Sequence, residues 1–346
     1  MTTPADDFPA LLEHLLAGEP LQEADAHALM ATTLAGDLGP ERLAATLTAL
    51  RTRPVFVDEL VGFARAMREA SHRIQAPEGV VLDNCGTGGA PHKTVNVSTT
   101  AAFLVAGAGI TVAKHGNRSV TRPSGSADLL ERAGAKLDRT PQQVEQTLAK
   151  AGIAFLFAPT FHPAMRHAGP VRGALGIKTV FNLLGPLTNP AGATHQVLGV
   201  YHPDLVEPMA KALARLGCQG GFVLHGLPGF DEATPCGPIR YARIQDGQAR
   251  PANEVDPASL GLAAATPEAL APVAAEATAG LFQDLLAGRA TGPLADTVHL
   301  NVAFALVAAG RASDLAAGLD QARELAASGV GTAKWDAYLA ADQRHG

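Results

Sequence analysis

The sequence predicts an α/β protein: a small all-helical N-terminal domain, then a large domain with a mostly parallel central sheet flanked by helices. Three observations carry that expectation. Over roughly the first seventy residues, apolar positions recur only at helical spacing. The texture changes at Pro77-Glu78-Gly79, and from there short apolar runs alternate with helical segments. Such alternation buries both faces of a sheet and favours parallel pairing. With 346 residues, 47% hydrophobic and 17% charged, the chain holds core material for one large and one small domain.

In chain order, Pro40 stands where a first-turn proline is tolerated, and Leu43, Leu47 and Leu50 follow at helical spacing. Pro54 closes that helix, and Leu60, Phe63, Ala64 and Met67 mark the face of the next. Val80, Val81 and Leu82 form the first strand run, leading into Asp83-Asn84-Cys85-Gly86-Thr87-Gly88-Gly89. Residues 94–97 enter an apolar stretch at 101–106, read as a helix capped among Ser98, Thr99 and Thr100. Gly107 and Gly109 end it, and Ile110, Thr111 and Val112 begin another strand. Later strands are expected at 154–157, 196–201 and 221–225, with a helix over 204–216. Beyond Gly280 the pattern is mostly helical, Leu300, Ala303, Phe304 and Val307 sharing one face.

The formal charge of −6, without a Lys/Arg block, argues against nucleic acid or an anionic membrane surface as the main partner. The longest apolar run, 101–113, falls short of the roughly 20 residues of a membrane span. Met1-Thr2-Thr3-Pro4, followed by Asp6 and Asp7, lacks the basic and apolar regions of a signal peptide, so a cytoplasmic protein is expected. Cys85, Cys218 and Cys236 have no close metal-ligand spacing and read as reduced thiols.

Five segments can carry chemistry. Gly86-Thr87-Gly88-Gly89 follows a strand, where glycines let backbone N–H groups approach an anion; a tight turn is the simpler alternative. Asn96-Val97-Ser98-Thr99 precedes a helix, placing hydroxyls and free N–H groups at a positive helix end, where a plain N-cap would explain one hydroxyl. Lys114-His115-Gly116-Asn117-Arg118-Ser119, running towards Ser124-Gly125-Ser126, follows a second strand and offers cations to phosphates, unless it is a polar surface loop. Asp231-Glu232 supplies adjacent carboxylates of the kind magnesium prefers, though acidic pairs are common in turns. His162-Pro163-Ala164-Met165 precedes Arg172, whose guanidinium could pair with an aromatic carboxylate; His167 reads as structural. No nucleophile–base pair, P-loop or dinucleotide fingerprint is present, so positioning and electrostatics would dominate any catalysis.

Read in order, these segments resemble the anthranilate phosphoribosyltransferase family. The resemblance takes in the Gly-Thr-Gly-Gly loop, Thr94, Asn96 to Thr99, Lys114 to Val120, Ser124 to Asp128 and Phe155 to Pro159. It continues through His162 to Met165, Val171-Arg172, Phe181 to Pro190, Asp231-Glu232 and a late helix near Asn301. It implies a nucleoside phosphorylase/phosphoribosyltransferase-like fold with ligands between the domains. A helical part of 1–75 with a returning segment at about 171–190, and an α/β part of 76–170 and 191–346, are the implied boundaries.

The same resemblance implies transfer of a phosphoribosyl group from phosphoribosyl pyrophosphate to anthranilate, with magnesium, in a homodimer joined through helical-domain surfaces. Gly86, Gly89, Ala90, Thr94, Asn96, Val97, Ser98 and Thr99 would belong to the phosphoribosyl pyrophosphate site. So would Lys114, His115, Gly116, Asn117, Arg118, Ser119, Val120, Thr121, Arg122 and Ser126. Anthranilate would meet Gly86, Asn117, His162, Met165 and Arg172, and magnesium would meet Ser98, Asp231 and Glu232. One departure stands out: the family follows the glycine loop with Asp-Gly, and here Ala90-Pro91-His92 stand instead. That removes a carboxylate and stiffens the loop, bearing on the metal response more than on the reaction. A pyrimidine nucleoside phosphorylase-like enzyme and a non-catalytic nucleic-acid-binding relative are the alternatives.

Overall fold

The computed structural model describes residues 7–118 and 125–343. Four helices open the chain: α1 (Phe8–Leu16), α2 (Glu23–Ala35), α3 (Pro40–Arg51) and α4 (Val57–Glu69). Pro40 is the first residue of α3, as its fixed φ allows. Leu43, Leu47, Leu60, Phe63, Ala64 and Met67 are all buried, so the helical spacing marks the packed faces. At about 1.5–3 kcal/mol for each large side chain, this stripe holds the helices together. Their core does not close on itself. It runs on through Phe181, Leu184 and Leu187 to Val206, Met209 and Leu213.

The α/β part follows as β1 (Val81–Gly86), α5 (Val97–Gly107), β2 (Thr111–Gly116), α6 (Ser126–Arg132), α7 (Pro141–Ala151) and β3 (Ile153–Phe157). Three short helices make the connection that returns to the helical bundle: α8 (Ala158–Phe161), α9 (Gly169–Leu175) and α10 (Phe181–Leu184). The chain then re-enters the sheet as β4 (His195–Gly199), α11 (Val206–Arg215), β5 (Gly220–Gly226) and β6 (Ile239–Gln245). Two short strands, β7 (Gln248–Ala249) and β8 (Asn253–Val255), pair with β6. Helices α12 (Thr278–Leu286), α13 (Pro293–Ala308), α14 (Leu315–Ala327) and α15 (Val330–Gln343) complete the order, and Leu300, Ala303, Phe304 and Val307 of α13 are buried.

The sheet order is β3-β2-β1-β4-β5-β6-β7. Strands β3 to β5 are parallel, and β6 turns back antiparallel against β5. The chain runs from β1 outward to β3 in one direction and from β4 outward to β5 in the other. A reversal of this kind leaves a crevice at the carboxyl ends of the strands. The crevice is widened locally, because β1 pairs with β2 only at Val81↔Thr111 and Leu82↔Val112, while its ladder with β4 continues to Gly86↔Gly199.

Some expectations change. Asn96 is the N-cap of α5 and makes no side-chain capping bond, so Ser98, Thr99 and Thr100 lie inside the first turn and do not cap it. The segment over 204–216 begins with a turn of 3₁₀ helix at Pro203–Leu205 before α11. The antiparallel edge went unread, although Asp246-Gly247 is the signature of a two-residue hairpin. Both residues have positive φ, 52° and 71°, as that turn requires.

Candidate functional site

The acidic pair is placed by glycines. Asp231 and Glu232 run across the carboxyl ends of the central strands, and each end carries a glycine. A Cβ on Gly199, the last residue of β4, would lie 1.7 Å from the Asp231 carbonyl oxygen. One on Gly226, at the end of β5, would lie 2.4 Å from the Glu232 carbonyl, and one on Gly86, at the end of β1, 2.9 Å from Asp231 Oδ2. Side chains at these positions would push the carboxylates away from the crevice. Burial raises the pKa of both groups, and the neighbouring Asp231 charge raises Glu232 further, to about 8. Thr94 Oγ donates to Glu232 Oε2, and Lys93 favours the charged form of both carboxylates.

The glycine loop is held from behind. Thr87 N–H donates to the Gly199 carbonyl at 2.9 Å, and Thr87 Oγ accepts from Tyr201 N–H at 3.1 Å. Gly88 and Gly89 have φ of +66° and +79°, a region that side-chain-bearing residues rarely adopt. After the loop, His92 N–H donates to the Gly229 carbonyl at 3.2 Å, and its ring stacks on Phe230 with centroids 5.1 Å apart. Ala90-Pro91-His92 therefore tie the glycine loop to the turn before the acidic pair, by packing where the resemblance expects a carboxylate.

The splay between β1 and β2 is filled by polar groups. Asp83 Oδ1 accepts from His115 N–H at 3.1 Å, and Asn84 Nδ2 donates to the Ser98 carbonyl at 2.6 Å. Lys114 is buried, with Nζ donating to the Asn84 carbonyl at 2.6 Å and to Ser98 Oγ at 3.2 Å. Burial lowers its pKa, while Asp83, Cys85 and Glu232 pull it back up. The Asp83 carboxyl moves the other way, pushed up to about 6 by burial against the opposing pull of Lys114.

A cavity of about 1060 Å³ opens over these strand ends. On its wall stand Gly86, Thr94, Asn96, Ser98, Lys114, His115, Gly116, Asn117, Arg118, Ser126, Asp231 and Glu232. Gly89 and Ala90 do not line it: Ala90 is buried, and Gly89 faces Lys178. Val97 and Thr99 are fully buried inside α5, so their side chains do not reach a ligand there. Arg118 reaches the wall, but its guanidinium is engaged by Glu131 and lies 3.6 Å from Asp128, both on α6. Its charge is thus partly neutralised, contrary to the expectation of a free phosphate-binding cation. Ser119, Val120, Thr121 and Arg122 lie outside the described residues. The sequence reading missed Lys93 and the rim formed by Pro267, Glu268, Ala271, Pro272 and Val273. Lys93 was legible as a cation between two candidate motifs; the rim carries no local signal.

Of the remaining candidates, only His162 is brought beside His115. The His115 and His162 rings lie 5.1 Å apart, and both imidazoles are buried and held neutral. Burial, then the neighbouring ring, lowers His115 to about 3; burial lowers His162 to about 4. His115 Nδ1 meets the Gly185 carbonyl at 3.2 Å, so it carries the proton and leaves Nε2 as an acceptor with no partner among the described residues. His162 Nε2 also has no partner among the described residues. Met165 packs partly buried against the helical core. Arg172 lies over the Phe181 ring at 5.2 Å, and among the described residues no carboxylate pairs with it. Burial depresses its pKa. None of His162, Met165 and Arg172 lines the cavity wall.

Comparison with known proteins gives a consistent picture. Residues 78–332 match the model of the glycosyl transferase family a/b domain, and residues 9–71 that family's helical bundle domain. The chain is 45% identical over 333 residues to an anthranilate phosphoribosyltransferase of Rubrobacter xylanophilus, covering 96% of this chain and 97% of that protein. It is 46% identical over 331 residues to one of Moorella thermoacetica, covering 96% and 97%. The crystal structure of the Thermus thermophilus anthranilate phosphoribosyltransferase superposes with a TM-score of 0.90 at 43% identity, covering 96% of this chain and 99% of that one. The Saccharomyces cerevisiae enzyme in complex with PRPP and Mg superposes at 0.89 with 26% identity, covering 99% of each. Fold, family models and relatives agree: the chain belongs to the anthranilate phosphoribosyltransferase family.

Proposed function

We propose that the protein transfers the phosphoribosyl group of 5-phosphoribosyl 1-pyrophosphate to the amine of anthranilate, releasing pyrophosphate, in the second step of tryptophan biosynthesis. The observation that carries this reading is the acidic pair, set by three strand-end glycines beside the glycine loop, on the wall of a cavity that Lys93 and Lys114 also line. Two half-buried carboxylates whose ionisation is uphill fit a hard dication, which would offset both the desolvation and the repulsion of Glu232 by Asp231. Asp231, Glu232 and Ser98 are the proposed magnesium ligands; when bound, the metal supplies charge to the pyrophosphate oxygens. Among the described residues no group of three or more His, Cys, Asp and Glu comes together, so substrate oxygens and water would complete the shell.

This chain's own groups do the rest by positioning. Lys114 and the amides at the start of α5 stabilise charge on the departing pyrophosphate as the anomeric carbon gains oxocarbenium character. Asn117 on the cavity wall and Arg172 of α9 would hold the aromatic acid, its carboxylate on a guanidinium that no carboxylate engages among the described residues. The neutral His115, on the cavity wall with His162 behind it, leaves a lone pair that can accept an amine N–H without adding charge. A helical part of 1–75 with 171–190 and an α/β part of 76–170 with 191–346 remain the proposed division.

Loss of anthranilate fluorescence on mixing protein, phosphoribosyl pyrophosphate and magnesium tests the reaction. Turnover of a nucleoside with phosphate instead would overturn it. Within the same assay, Gly89→Val is expected to raise the KM for phosphoribosyl pyrophosphate roughly tenfold, because its Cβ would strike Lys178 Cε at 2.7 Å and its φ is unsuited to valine. Gly88→Val meets open space and is strained by φ alone, so its effect should be smaller. Equal kinetics in all three proteins would make the loop a plain turn.

We also propose a cytoplasmic homodimer joined through the helical domain. Leu16 on α1 is 62% exposed, and Cys85, Cys218 and Cys236 are free thiols. No helix among the described residues is long and apolar enough to cross a membrane. Light scattering at twice the protomer mass is the expected result; a protomer mass that persists at high concentration would refute the dimer.

A further inference from the structure

We propose that Lys178 is a positioning residue, a latch by which the connection carrying Arg172 holds the glycine loop in the shape that receives pyrophosphate. The inference rests on the transfer reaction proposed above and deepens it. Lys178 lies between α9 and α10, on the connection whose Val171 and Phe181 are buried in the helical core. Its Nζ nonetheless crosses to the α/β part, donating to the Gly89 carbonyl at 2.6 Å. The ammonium also sits 4.2 Å from the centroid of the Tyr201 ring.

Those contacts close a chain of supports around the loop. Tyr201 N–H donates to Thr87 Oγ at 3.1 Å, and Thr87 N–H donates to Gly199 at the end of β4. The loop is thereby tied to the sheet at Thr87 and to the helical side at Gly89. A trans peptide is planar with its C=O and N–H opposed, so fixing the Gly89 carbonyl also fixes the direction of the Ala90 N–H. Pro91 follows and has no N–H to compete for an acceptor. The close approach needs a glycine, because any Cβ at position 89 would occupy the space of the lysine stem.

Lys178 is absent from the cavity wall, so it acts on the loop and not on the substrate. Burial, with Lys93 and Arg51, disfavours its charge, and Asp231 favours it. An ammonium in so cationic a setting is held in place by the carbonyl and the ring, which distinguishes it from a lysine simply turned to solvent.

The test compares Lys178→Met and Lys178→Arg with the unaltered protein. Calorimetric titration with inorganic pyrophosphate and magnesium is run beside initial rates and thermal melting. Lys178→Met should weaken pyrophosphate binding and raise the KM for phosphoribosyl pyrophosphate, each about tenfold. The KM for anthranilate should stay within about twofold and the melting temperature nearly unchanged, since one part-exposed hydrogen bond is lost. Lys178→Arg, which can still reach a carbonyl and a ring, should restore most of the affinity. Unchanged pyrophosphate binding in Lys178→Met would overturn the latch. So would a lower melting temperature with both KM values raised and no rescue by arginine, the pattern of a domain brace. If the unaltered protein binds pyrophosphate but consumes no anthranilate, the transfer reading fails, and the latch is still decided by the titration.

Discussion

Replacing Asp231 with Asn and Glu232 with Gln together is expected to lower kcat/KM by roughly 10²–10³-fold, with partial recovery at high magnesium. Both carboxylates face the cavity, and glycines at the ends of three strands leave room for them. Neutral amides keep the shape and the Thr94 contact while removing the charge a dication needs. The metal-free fold should not suffer. Both pKa values are raised, so ionising these groups opposes folding, increasingly as pH rises from the ordinary carboxylate range through the raised values. The double variant is therefore expected to melt at or above the temperature of the unaltered metal-free protein at neutral pH. Magnesium with pyrophosphate should raise the melting temperature of the unaltered protein and leave that of the variant nearly still. A variant that keeps full activity at low magnesium would remove the pair from the site.

How far the site was legible beforehand differs by feature. The glycine loop and the acidic pair follow strands and the Lys114 segment ends one, and strand carboxyl ends converge in a parallel sheet, so their meeting could be argued from local pattern. The reason Gly199 and Gly226 are glycines could not. It lies in the backbone of Asp231 and Glu232 passing over them, a contact made only when β1, β4 and β5 stand side by side. Arg118 shows the reverse failure. Its charge looked available in the motif, but Glu131 and Asp128 on α6 take it, and no motif contains Glu131.

Burial explains the other divergences. Val97 and Thr99 sit in a motif that looks polar and ligand-facing, but the first turn of α5 points them into the core, and the helix starts earlier than a Ser or Thr cap implied. A periodicity of one helix face cannot be read across three consecutive residues when the whole helix is buried, as most of α5 is. Lys178 lay between two recognised segments and gave no signal by itself. Its partner is a backbone carbonyl, which every residue carries.

Arg172→Ala is expected to raise the KM for anthranilate by roughly 30- to 150-fold, about 2–3 kcal/mol, and to leave that for phosphoribosyl pyrophosphate nearly unchanged. The magnitude follows from its setting. A fully desolvated guanidinium–carboxylate contact is worth about 2–5 kcal/mol on truncation, and less where water reaches it. Arg172 is partly buried, with its pKa depressed by burial, and lies over Phe181, which places it towards the lower end of that range. Because no carboxylate pairs with it among the described residues, an arriving aromatic acid need not displace an internal partner. Arg172→Lys should fall between the two proteins, since a point charge cannot reproduce the two parallel N–H···O bonds. Discrimination between anthranilate and aniline should shrink in the alanine variant, because only the former has a carboxylate to lose. The competing outcome is specific. If Arg172 serves only to brace α9 against Phe181, the melting temperature falls and both KM values rise together, and the acceptor-site assignment ends there.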